Sequence, residues 1–471
     1  MRPRTEISRV LTRTDTLAVS RPSLGQLLFL LLITSVAALG GLLFGYDTAV
    51  ISGAIGLLET HFGLTSAQTG WAASSALAGC VLGSAVAGTG ADRFGRHRFL
   101  LLAGICFLAS ALGTAVAPSF FTFTLFRILG GVGVGIASLI SPLYIAESSP
   151  AHWRGRLVAV NQLAIVLGML LIYLVNYRIH QSGTEQWNVA SGWRWMFASG
   201  VLPSAFLLLL LFSVPETARF LLMKGCRAEA ERVAARIGAD ALKEILSAEE
   251  RLRCRVGHVS RMYTIGITLA ILQQVTGINV FLYYAPSIFA RVTHSGNIAL
   301  EQTVCVGVVN VVFTVLAMVF VDRLGRKPLL VGGSIGMASC LAGMGWSVMH
   351  QSSSASLLLY VLLYIACFAF SVGPVTWILL SELFPMSIRA QAMAMSTAAL
   401  WAANFLVSQT FPMLDQNSYL IAHFGHGFPF FVYSFFCAIE VWFVCTFVRE
   451  TKNRSLEEIE ESWISGDELE L

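Results

Sequence analysis

The stretch QQVTGINVFLYYAP, Gln273–Pro286, decides how the rest of the chain is read. It lies in an apolar run from about Ile265 to Ala290, long enough to cross a bilayer at about 1.5 Å rise per residue. Within that run stand two adjacent glutamines, an asparagine, two tyrosines, a glycine and a proline. A polar amide in hydrocarbon costs free energy unless protein or water satisfies it. The segment therefore reads as a membrane helix that faces a water-filled cavity, with Gly277 and Pro286 marking where it can bend. Amides donate and accept at once, which suits the hydroxyls of a neutral polyol. The same groups can also bond one membrane helix to another. The crowding of Gln273, Gln274 and Asn279 into seven residues favours a binding site.

Composition agrees with a membrane setting. Hydrophobic residues make up 56% of the 471 and charged residues only 12%, about half the share in a soluble domain. Mean hydropathy is +0.71. The fold expected is an all-α polytopic membrane protein. The cysteines Cys80, Cys106, Cys305, Cys340, Cys367, Cys437 and Cys445 lie in apolar runs and read as small core residues. Their spacing suggests neither a disulfide framework nor a metal site. GGVGVG at 130–135 follows no strand and lies inside a span, so it is no nucleotide loop. Its Gly131 and Gly135, like Gly79 and Gly83, have the spacing that lets membrane helices approach closely. Nothing suggests catalysis, a cofactor, ATP-driven transport or nucleic-acid binding.

Taken in order, a basic tail over 1–25 is followed by a first span over about Gln26–Gly53. Further apolar runs lie near 68–90, 99–117, 122–146, 157–177 and 192–213, closing a first half over 26–214. A charged linker with short amphipathic helices occupies 215–261. Six more runs, near 263–291, 301–321, 328–349, 355–381, 388–412 and 424–448, make a second half over 262–448. A charged tail fills 449–471. Placing both termini in the cytoplasm puts 27 of the 31 lysines and arginines on the inner side, as the positive-inside rule requires.

The two halves repeat. ADRFGRHR at 91–98 recurs as VDRLGRKP at 321–328. Glu147, Pro150 and Arg154 of SPLYIAESSPAHWRGR match Glu382, Pro385 and Arg389 of WILLSELFPMSIRAQ at one constant offset. PETARF at 215–220 is echoed by RETKNR at 449–454. Two homologous six-helix halves with a substrate between them is the plan of a rocking-bundle transporter. Asp92, Arg96, Glu147 and Arg154, with their repeats Asp322, Arg326, Glu382 and Arg389, are expected to cross-link the halves when the inner side closes.

These motifs carry a resemblance along nearly the whole chain. GGLLFGYDTAVISG, DRFGR, PETARF, QQVTGINVFLYY, DRLGRK, GPVTWILLSELFP and the closing ETK resemble, in order, the motifs of the sugar porters of the major facilitator superfamily. NQLAIVLGMLLIYLVNY, SGWRWMFAS and the QTFPMLDQNS loop look most like the bacterial D-xylose–proton symporters within it. The resemblance implies twelve transmembrane helices in two pseudo-symmetric bundles, in a bacterial inner membrane. It implies import of a monosaccharide by proton symport through a monomer, with the proton as coupling ion; a passive sugar facilitator and a non-transporting sugar sensor are the alternatives. His97, Arg449 and Asn453 depart from the family pattern on the cytoplasmic face. Leu400 stands where xylose symporters tend to carry a glutamine, so xylose is not singled out among pentoses and hexoses.

Carried over residue by residue, the resemblance places Gln162, Gln273, Gln274, Asn279 and Trp377 around the sugar. Tyr283, Asn310, Trp401 and Asn404 would line the cavity. An indole offers a flat apolar face to ring CH groups, although Trp377 could equally pack on the adjacent Gly373-Pro374. Asp47 in the first span and Arg127 in the fourth are ionisable groups at membrane depth, where such groups are functional by default and usually paired. Passive facilitators of this family generally have asparagine after GY; here it is GYD, which points to proton coupling. Gly200 stands where close symporters can hold a carboxylate. Glu440, in the last span, reads as a snorkelling or lipid-facing side chain, with a proton role as the alternative.

Overall fold

The computed structural model describes residues 23–238, 259–293, 295–350, 354–384 and 389–452. Helices fill them, and no strand occurs among the described residues. The first begins at a capping box, in which Ser23 Oγ accepts from the Gln26 amide and the Gln26 side chain accepts from the Ser23 amide. It runs on well past the expected end at Gly53, as Leu24–Ala49 and then Ile51–Phe62. The extension follows from Ile51, Ala54, Ile55 and Leu58, which recur at helical spacing and are all buried.

Eleven segments are long and apolar enough to cross a membrane. The eleventh span, Arg389–Asp415, is a twelfth such helix by length, 27 residues. It is less apolar because it carries Gln391, Ser396, Thr397, Asn404, Ser408 and Gln409. The linker forms short helices at Ala218–Met223 and Arg227–Ile237. Its remainder, 239–258, and the tails before 23 and after 452 lie outside the described residues.

Two small-residue faces explain the tightest packing. A Cβ at Gly131 would lie 1.8 Å from Ala76 O, and one at Gly79 2.0 Å from Ile128 O. Only glycine lets the second span, Ser66–Phe94, and the fourth, Phe120–Glu147, approach so closely. Cys80, Cys106 and Cys437 are buried as expected, whereas Cys305 and Cys445 are exposed on the outer surface of the bundles. Contacts between the halves run from the second span to the eleventh and from the fifth, Ala151–Gln181, to the eighth, Gly296–Leu324.

Candidate functional site

The seventh span breaks at Gly277, between Val259–Val275 and Ile278–Thr293. Gly277 has φ +90, and a Cβ there would lie 2.6 Å from the Tyr433 ring, so both backbone and space demand glycine. Pro286, by contrast, sits inside the second piece without ending it. The tenth span breaks as well, at Ser371, between Ser354–Phe370 and Val372–Leu383. Pro374 follows the break; it has no N–H to give the preceding turn.

The amides gather at these breaks. Gln273 Nε2 donates to the carbonyls of Val372 and Gly373 at 3.3 and 3.2 Å. Gln274 Nε2 donates to Gln273 Oε1 at 3.3 Å, and Asn279 Nδ2 donates to Gln274 Oε1. The three expected sugar ligands of this span therefore form one hydrogen-bonded chain, and all are buried. Tyr364 OH donates to the Thr276 carbonyl at 3.0 Å, fixing the break from the tenth span. Through these amides one chain of bonds joins the seventh span to the tenth.

Tyr283, Asn310, Trp401 and Asn404, expected to line the cavity, are all buried. Tyr283 and Asn404 share a hydrogen bond, and Asn404 Oδ1 accepts from Ser408. Trp401 reaches across to the first half, where Nε1 donates to Ser138 Oγ at 3.4 Å and its ring meets Phe44 edge-on at 5.3 Å. Asn310 on the eighth span is buried with its amide 3.9 Å from Met169 Sδ on the fifth. Gln162 and Trp377 are half-buried, on the fifth and tenth spans. Leu400 is buried in the apolar core.

Asp47 and Arg127 meet. Arg127 Nη1 donates to Asp47 Oδ2 and to the Asp47 backbone carbonyl, both at 3.1 Å. The arginine side chain is 1% exposed and the aspartate 13%. Losing either partner strands a buried charge, which typically costs about 3–5 kcal/mol.

At the end of the molecule where Ser23 and Lys452 lie, the same device is built twice. Arg96 bonds Asp92 at 2.7 Å and Glu147 at 3.1 Å, and Thr217 Oγ1 donates to Glu147 at 2.7 Å. In the second half Arg326 bonds Glu382 at 3.1 Å, and Thr451 Oγ1 donates to Glu382 at 2.6 Å. Glu216 accepts from the amides of Arg96 and His97; Glu450 accepts from those of Arg326 and Lys327. His97 Nε2 donates to Leu211 O at 2.9 Å, and Lys327 Nζ donates to Cys445 O at 3.0 Å. His97 thus keeps the contact to the end of the sixth span that Lys327 makes to the twelfth.

Among the described residues, Arg96, Glu147 and Glu382 bond within their own halves. Arg154 donates to the carbonyls of Ala146 and Ser149, while Glu147 is held by Arg96 and Thr217. The side chains of Asp322 and Arg389 lie outside the described residues. The halves are also bonded to each other at the opposite end. There Gln409 bonds Ala67 O and Ser74 Oγ, Ser66 bonds Gln416, and Tyr177 bonds Glu301 at 2.5 Å.

One assignment changes. Glu440 is not lipid-facing: it is fully buried, and its Oε2 accepts from Ser334 Oγ of the ninth span at 2.9 Å. Its helix is apolar all round, so sequence alone does not reveal which side faces inward. Glu216, Thr217, Glu450 and Thr451 were visible only as a repeated motif; their matching offsets were the signal for a role.

A family model for sugar (and other) transporters matches residues 33–463. The D-xylose-proton symporter of Escherichia coli K12 is 44% identical over 466 residues, covering 92% of this chain and 95% of that protein. The arabinose-proton symporter of Bacillus subtilis is 39% identical, with 93% and 95% covered. The glucose facilitated diffusion protein of Zymomonas mobilis is 40% identical, with 91% and 96% covered. Among solved structures, the proton:xylose symporter bound to 6-bromo-6-deoxy-D-glucose superposes with a TM-score of 0.81 at 44% identity, covering 92% of this chain and 99% of that one. The inward-open xylose transporter from E. coli also gives 0.81, at 41% identity, with 92% and 100% covered. With the motifs, the repeated halves and the helical fold all in agreement, the chain belongs to the sugar transporters of the major facilitator superfamily, integral membrane carriers and not enzymes.

Proposed function

We propose that this chain imports a pentose or hexose together with a proton, by alternating access between its two halves. The termini lie on the cytoplasmic side of a bacterial inner membrane, and a single copy suffices for transport. The observation that carries the reading is the Asp47–Arg127 pair, a buried carboxylate held 3.1 Å from its counter-ion. A proton on Asp47 releases Arg127, and the change in pairing couples the acid to the packing of the first and fourth spans. Gln162, Gln273, Gln274, Asn279 and Trp377 hold the sugar. Asp92, Arg96, Glu147, Arg154 and their repeats Asp322, Arg326, Glu382 and Arg389 latch the cytoplasmic side when it closes. Relatives that are symporters for D-xylose and for arabinose support coupled transport of a small sugar.

The test is a panel of labelled sugars in proteoliposomes with an imposed pH gradient. The parent should accumulate a monosaccharide, and an uncoupler should stop it. Asp47→Asn should lose uphill accumulation and keep sugar binding; accumulation by that variant would remove Asp47 as the proton carrier. A passive facilitator is the second reading, favoured by the Zymomonas relative. Uptake that only equilibrates, with or without a pH gradient, would establish it.

A further inference from the structure

The first, third and sixth spans leave a cavity beside Asp47, lined only by residues of the first half. Its walls include Asp47, Tyr46, Phe107, Ala111, Phe197 and Gly200. Gly200 sits at the kink between Trp193–Ala198 and Val201–Leu211, and its missing side chain opens the space. The nearest atoms to a Cβ there would be Phe197 O at 3.3 Å, Ala111 Cβ at 3.4 Å and Tyr46 Cε1 at 3.8 Å. The cavity has room for about one water molecule.

The surroundings are short of hydrogen-bond partners. Arg127 spends Nη1 on Asp47 Oδ2, while Arg127 Nε and Ser110 Oγ are buried without a partner among the described residues. A Cβ at Gly130 would lie 2.4 Å from Ser110 Oγ and 3.2 Å from Asp47 Oδ2, so hydroxyl and carboxylate crowd one point. Buried polar groups in native proteins are satisfied by protein or by ordered water. The aspartate side chain keeps 13% of its surface although its arginine keeps 1%.

We propose that this cavity is a water-binding site, and that its water is the immediate proton donor and acceptor of Asp47. The inference rests on Asp47 being the proton carrier. In the loading step a hydronium in the cavity gives one proton to the Asp47 carboxylate. The hydronium O–H bond breaks, the carboxyl O–H bond forms, and neutral water remains. Release runs the same transfer backwards, and the proton leaves as hydronium. Because the cavity belongs wholly to the first half, sugar bound between the halves does not displace this water.

Gly200→Val fills the space from the sixth span, and Ala111→Val fills it from the third. In proteoliposomes each folded variant should lose about tenfold or more of its pH-gradient-driven uptake rate, the scale of a proton-transfer contribution. Sugar counterflow, which moves no net protons, should stay within about twofold of the parent on the same scale. Parental driven uptake in either folded variant overturns the water site, and so does a counterflow loss equal to the driven loss. Asp47→Asn is measured alongside. If that variant accumulates sugar, the proton role of Asp47 fails; if it does not and the filled variants work normally, only the water site fails.

Discussion

Gln409 fastens the two halves together at the end away from Arg96 and Arg326. Its Nε2 donates to Ala67 O at 2.9 Å and its Oε1 accepts from Ser74 Oγ at 2.7 Å. Gly70 allows the approach, because a Cβ there would lie 2.5 Å from Gln409 O. Gln409→Ala removes both bonds and leaves the backbone contact. Two neutral hydrogen bonds at about 0.5–1.5 kcal/mol each give roughly 1–3 kcal/mol, centred on about 2. The bonds join different halves, so they stabilise the state closed at this end and not the open one. The whole difference therefore enters the conformational equilibrium. About 2 kcal/mol corresponds to a shift of roughly thirtyfold towards the open state. The assay uses Thr69→Cys, on the second span at this end and only 4% exposed. Its labelling by an impermeant maleimide should accelerate about ten- to thirtyfold when Gln409→Ala is added. A change below about twofold would refute the idea that this side chain holds the end closed.

Three further outcomes are expected. Burial alone would raise the Glu450 carboxyl, but the amides of Arg326, Lys452, Lys327 and Thr451 outweigh it and hold the group below its ordinary 4.5. Its folded value is the depressed one, so its bonds contribute fully above the ordinary carboxylate range and fade as pH falls through the folded value. Glu450→Gln should melt below the parent at neutral pH and converge with it in acid; curves that stay parallel would remove the clamp. Gly131→Val forces side-chain atoms into the Ala76 carbonyl and should cost about 1–3 kcal/mol or more, seen as a lower melting temperature in detergent, and a parental melt would show that the spans can separate freely. Gln274→Ala should weaken sugar binding by about 1–3 kcal/mol, because sugar hydroxyls and the Asn279 amide lose a partner, and calorimetry showing unchanged affinity would take Gln274 out of the site.

What could be read from sequence was what depends on local pattern. Apolar length gives the spans, glycine spacing gives the contact of the second and fourth, and amides in hydrocarbon mark the seventh. Gly277 ends a helix as expected, since its φ of +90 is a local property. The break at Ser371 was less visible, although Pro374 nearby was a cue. What failed depends on rotation about a helix axis. The last span, Phe428–Phe447, is apolar on every side, so nothing in it tells whether Glu440 points to lipid or to Ser334. The partner lies 106 residues away on another span. The first span was ended too early for a related reason. Gly53 and Gly56 look like stops, but Gly53 packs against Asn176, with an ideal Cβ 2.6 Å from its amide nitrogen.

The repeated bonds also say which parts can move. Glu216 and Glu450 each bind the opening amides of a helix, the third span and the ninth. Thr217 and Thr451 tie the segments carrying those glutamates to Glu147 and Glu382, on the fourth and tenth spans. Arg96 and Arg326 then close each circuit back to the third and ninth. Hydrogen bonds to charged groups contribute about 1.5–3 kcal/mol, against about 0.5–1.5 for neutral ones. Each half is thus laced by charge-assisted bonds at its terminal end, while the halves are joined at the other end mostly by neutral pairs such as Ser74 with Gln409. Separating the halves is the cheaper motion, and deforming either one is the dearer. Glu147 and Glu382 each bond inside their own half, so separating the halves at this end strands neither carboxylate. Opening and closing of this end then stay near balance, which an alternating carrier needs if a few kcal/mol from its substrates are to decide its direction.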